Sequence, residues 1–141
     1  MSDMTDYLEG QLRAHLFRTA SFAKPSVLAL ALCTADPTDA ATGASCNEVA
    51  NAGAYARQVL NPLDANWSAP DATGGVTRNQ SIVTFPQATA SWGTVTHFVI
   101  TDSATYGAGN VLIKGTLTVS KLIGNGDQFK FPVDSLTVTF A

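Results

Sequence analysis

The sequence predicts a mainly β fold: an antiparallel β-sandwich, jelly-roll-like, of seven or eight strands with one N-terminal amphipathic α-helix. Three observations carry this. Short runs of β-branched and aromatic residues recur between Gly, Pro and Asn turns. A single segment has helical periodicity, and no alternation of strands with helices exists to build a parallel sheet.

The most strongly specified strand lies within residues 90–103. Trp92-Gly93 opens it at a tight turn, β-branched and aromatic residues fill it, and Asp102-Ser103 close it. Strict alternation puts Val95 and Val99 on one face and Phe98 and Ile100 on the other, so both faces need cover and the strand belongs in mid-sheet. Trp92 and Gly93 read as anchors of the turn, and His97 as a structural residue.

The helix is expected over residues 3–19. Met4, Leu8, Leu12 and Leu16 recur at i+4, with Tyr7 on the adjacent row. Asp3, Asp6 and Glu9 near its start and Arg13 and Arg18 near its end complement the helix dipole. A lone helix of this length is marginal in water, so the stripe is to be buried against its own sheet or against another subunit. Met4, Tyr7, Leu8, Leu12 and Leu16 are therefore candidate interface residues.

Residues 27–33 follow as a central strand. Leu28, Leu30 and Leu32 share one face, and the small residues of the other suit close approach by the helix. Residues 34–54 then form a polar connection of about twenty residues, unusual inside a compact domain. It reads either as a contact arm, with Asp36, Asp39 and Glu48 as candidate contacts, or as disorder. Further strands are expected over 55–60, 79–85, 111–120, 128–131 and 136–140. An eighth is possible within 61–78, and Asn125-Gly126 marks a hairpin turn. Residues 1–141 are expected to form one domain, long enough to bury roughly 70% of the unfolded surface.

Composition narrows the function. Charged residues make up 13% of the chain, about half the usual share of roughly 25%. That suggests that part of the surface does not face water. The net charge of −3, with eight scattered Lys and Arg, does not favour nucleic acid. Cys33 and Cys46 lack zinc spacing, and pairing is not expected because Cys33 ends an apolar run. The acidic N-terminus does not read as a secretory leader, and no apolar run approaches the roughly 18 residues of a membrane span.

Catalysis is not expected either. His97 and Asp102 lie five positions apart on one strand and so point to opposite faces. His15 sits on the helix stripe, the acids Asp36, Asp39, Glu48, Asp64 and Asp71 fall in loops, and no glycine-rich loop opens a helix. No metal or cofactor is implied. Trp67 and Trp92 leave open a sugar-binding surface, although a tryptophan in such a place is more often an anchor.

Several motifs occur in a distinctive order: Thr5-Asp6-Tyr7-Leu8-Glu9; Leu30-Ala31-Leu32 with Thr34-Ala35-Asp36-Pro37-Thr38-Asp39; Gly53-Ala54-Tyr55-Ala56-Arg57-Gln58; Ser91-Trp92-Gly93-Thr94-Val95-Thr96-His97-Phe98; and Gly126-Asp127 followed by Leu136-Thr137-Val138. In this combination the chain resembles a family of small tailed-phage virion proteins commonly labelled "phage tail fiber protein". It departs from that family in the link before the Tyr-Ala-Arg strand, which is longer here and carries Cys46 and Asn47. The resemblance implies a non-enzymatic structural protein of the virion, assembled in the host cytoplasm, with no cofactor. Fibres need a long shaft, and no internal repeat is visible. A compact, low-charge sandwich with a long arm suits a capsid cement (decoration) protein, whose partners would be the major capsid protein and copies of itself, as a homotrimer. The alternative is a small tail, baseplate or tail-fibre component bound to tail proteins.

Overall fold

The computed structural model describes residues 2–71 and 73–140. In chain order the elements are β1 (Ser2–Met4), α1 (Asp6–Phe17), β2 (Ala29–Cys33), β3 (Gln58–Val59), β4 (Val76–Arg78), β5 (Val83–Thr84), β6 (Gly93–Thr101), β7 (Val111–Ile123), β8 (Lys130–Phe131) and β9 (Thr137–Thr139). Five strands form one antiparallel sheet in the order β1-β7-β6-β2-β3, while β4 pairs with β9 and β5 with β8. The fold is mainly β and sandwich-like, as the sequence predicts, and β6 lies in mid-sheet between β7 and β2.

Boundaries differ where another pairing wins. The helix does not begin at residue 3, because Ser2–Met4 adds an edge strand to β7, with Met4 opposite Ile113. Thr5 then becomes the N-cap: fully buried, it accepts from the amide of Leu8 and donates to the carbonyls of Val111 and Leu112. The helix ends at Phe17, where Arg18 turns to an extended conformation. Only Leu8 of the expected stripe is buried; Tyr7 and Leu12 pack against the core in part, and Leu16 is 71% exposed. Several expected strands shrink to two or three hydrogen-bonded residues, β7 runs on to Ile123, and β4 falls in the 61–78 region.

Each face of the large sheet is covered by different material. Leu30, Leu32, Phe98 and Ile100 face the main core, where the short ladders contribute Phe85, Phe129 and Phe131. These rings meet edge to face: Phe98 to Phe131 at 5.6 Å, Phe129 to Phe131 at 5.0 Å and Phe85 to Phe129 at 5.8 Å between centroids. On the other face Ala31, Cys33, Val99 and Val111 lie against Ala41 and Cys46. The small face of β2 is thus covered by the 34–54 segment, not by α1. Nor does Val95 share a face with Val99. A register shift between Val95 and His97 rotates the start of β6, so Val95 joins the main core.

Gly115 is required by packing. It stands opposite Phe98, and a Cβ there would lie 2.3 Å from the ring. Gly115→Val should therefore destabilise the domain by about 1–3 kcal/mol through overpacking, read as a lower midpoint in denaturant, whereas Thr116→Val, on an exposed neighbouring position, should leave the midpoint nearly unchanged.

Candidate functional site

The 34–54 segment is folded, so the expectation of disorder does not hold. Val49 donates to the carbonyl of Leu32 at 2.9 Å, Thr34 to Asn47 at 3.0 Å and Gly43 to Gly109 at 3.0 Å. Its end turns through Gly53 (φ 61°) and Ala54 (φ 64°), both left-handed. A side chain at Gly53 would also press on the Ala90 backbone at 3.2 Å.

What holds the segment down is a buried ion pair. Arg57 Nε donates to Glu48 Oε1 at 2.8 Å and Nη2 to Oε2 at 2.7 Å, a bidentate pair whose side chains are 0% and 5% exposed. The remaining donors are also used. Nη1 reaches the carbonyls of Ser103 and Ala108, both at 2.9 Å, and Nη2 reaches that of Gly43 at 3.1 Å. One guanidinium thereby ties the arm, the end of β6 and the 103–110 loop together. Tyr55 completes the network: its hydroxyl donates to Glu48 Oε1 at 2.9 Å and accepts from the amide of Leu32 at 3.0 Å. Burial, and then the Glu48 charge beside it, push the Tyr55 hydroxyl far above the usual phenol range.

Cys33 and Cys46 meet beneath this network as free thiols. Both lie on the small face of the sheet, where the Cys46 thiol donates to Gly43 O at 3.9 Å; their mutual interaction, with burial, raises Cys33, while the same interaction lowers Cys46. Among the described residues no group of His, Cys, Asp and Glu is arranged to hold a metal ion, and no helix is long and apolar enough to cross a membrane.

The other sequence-predicted residues scatter around this centre. Asp36 and Asp39 are exposed and flank Lys114, at 3.6 and 3.0 Å; such surface pairs contribute little. His97 lies 3.8 Å from Asp36 and its Nδ1 is 2.7 Å from the Thr96 hydroxyl. Trp92 is 6% exposed, packs edge-on to Tyr55 at 5.3 Å and donates from its indole to Gly53 O at 2.8 Å. Gly93 follows it with φ 82°. Glu48 is the clear correction. As an arm contact it would have to face outward, yet it is spent on Arg57.

Outside the core, an open apolar groove of about 900 Å³ runs between α1 and the β4–β9 ladder, with Leu8, Leu12, Trp67, Ile100 and Phe140 on its walls. The Trp67 indole is fixed there by donating to Leu60 O at 3.1 Å.

A family model described as podophage GP4 fiber I protein gp80 matches residues 3–139. The chain belongs to this Gp80 family. It is a family of phage virion structural proteins, tail-fibre-like, in agreement with the resemblance read from the motifs, and it suggests a non-enzymatic role and a virion location. No curated protein matches the chain. The Tyr55-Ala56-Arg57 motif, quoted above only as a mark of resemblance, contains the two side chains that close the arm. The signal available was a lone Arg two residues from a buried-type Tyr, after a polar segment holding one Glu.

Removing one partner of the pair leaves a buried charge uncompensated. Arg57→Ala and Glu48→Ala should each cost about 3–5 kcal/mol, measured by denaturant titration. The double variant should cost clearly less than the sum of the two, because the second deletion removes the orphaned charge.

Proposed function

We propose that this chain is a docking subunit of the phage tail appendage, acting by surface complementarity and not by chemistry. The observation that carries the reading is the set of large apolar side chains that the fold leaves uncovered. Leu16 is 71%, Phe17 81%, Val119 77% and Leu122 66% exposed, beside an interior in which Arg57, Glu48 and Tyr55 satisfy one another. Uncovered apolar surface on a low-charge domain calls for a protein partner. The fibre family supports a tail protein as that partner. The arm, the chief reason to expect a shell clamp, is folded into the domain.

A second reading, capsid cement bound to the major capsid protein, is favoured by one feature: among the described residues there is a compact β-domain and no shaft. A sugar-binding module is less well supported, because the Trp92 indole is covered and only Trp67 borders an open surface.

Gold-labelled antibody against this chain, imaged on intact virions, separates the readings. Label confined to the tail at few copies per particle is expected. Label spread over the shell would replace the tail reading with cement.

A further inference from the structure

The inward face of α1 belongs to the core, whereas its outward face carries charges that complement the helix dipole but have no ion-pair partner among the described residues. Asp6, Gly10, Arg13 and Phe17 recur at i, i+4, i+7 and i+11 and so form one stripe. Glu9 and Leu16 flank it. Among the described residues neither Asp6, Glu9 nor Arg13 enters an ion pair. Phe17 is the most exposed of the large apolar side chains, at 81%. Gly10 stands near the middle of the stripe, and a Cβ added there would meet nothing within 4 Å. A mid-helix glycine weakens a helix relative to alanine, and among the described residues no contact calls for one.

We infer that this face is a self-association surface, on which α1 packs antiparallel against α1 of a second copy across a two-fold axis. The charges select this occupant and orientation. With the helices crossing at Gly10, antiparallel packing sets Arg13 of each copy opposite residue 7 of the other, between Asp6 and Glu9. Parallel packing would oppose like charges. The two-fold repeats the pairing, so one contact holds both sets, and the helix dipoles oppose. Gly10 lets the backbones approach at the crossing, and Phe17 falls opposite residue 3, just before the N-terminal end of the partner helix. A contact of this symmetry yields an even number of copies. Trimers built on another face would be joined by it in pairs. The inference holds equally for a tail or a shell location.

Analytical ultracentrifugation of the full chain tests it. The wild type should sediment as an assembly with an even number of copies. Arg13→Glu should weaken this association by about tenfold or more, since the new carboxylate would then face Asp6 and Glu9. The joint change Asp6→Arg and Glu9→Arg should do the same. Mixed in equal amounts, the two variant chains should recover the wild-type assembly, because every opposed pair is again of unlike charge. Recovery also shows that both variants are folded. A monomeric or odd-numbered wild type, association untouched by either variant, or no recovery on mixing would each overturn the inference.

Discussion

One guanidinium organises the polar half of this domain. Arg57 takes a full positive charge into a site where its side chain has no solvent contact, which is costly unless every donor is met. Here a bidentate carboxylate and three backbone carbonyls meet them. The acceptors come from two stretches far apart in sequence: Gly43 and Glu48 of the arm, and Ser103 and Ala108 of the loop after β6. The charge can be satisfied only when both are in place. A network of this kind is stable when complete and expensive when partly formed, so arm closure and sheet formation are coupled.

That coupling divides the molecule by task. Arm, aromatic core and thiol pair are committed to holding the fold. Tyr55 bridges them, touching Glu48 through its hydroxyl and Trp92 through its ring. What the fold leaves uncovered is the outside: the groove between α1 and the β4–β9 ladder, the outer face of α1, and the far end of β7. The groove and the end of β7 expose mainly apolar side chains, whereas the outer face of α1 combines the charges of Asp6, Glu9 and Arg13 with the exposed Leu16 and Phe17. The low charge of the composition goes with large apolar side chains left exposed, Leu16, Phe17, Val119 and Leu122 among them.

Much of the fold was legible because its signals are local. β6 declares itself by composition, the helix by periodicity, and the turns by their glycines and asparagines. What was not legible depends on distant partners. The first residues look helical until β7 offers them an edge, and alternation misplaces Val95 because a register shift breaks the period. The arm looks loose because its restraint lies in Arg57, beyond its own end. Glu48 shows the limit most clearly: an acid in a polar loop reads as surface, and only the fold reveals the cation waiting for it.

Native-state hydrogen exchange on the wild-type chain addresses the locked arm directly. If Arg57 couples arm and sheet, the amides of Thr34, Gly43 and Val49 should exchange by the same cooperative opening as those in the centre of β6, with similar free energies and similar denaturant dependence. Exchange of the arm amides by a separate low-energy opening, while β6 stays protected, would contradict the account.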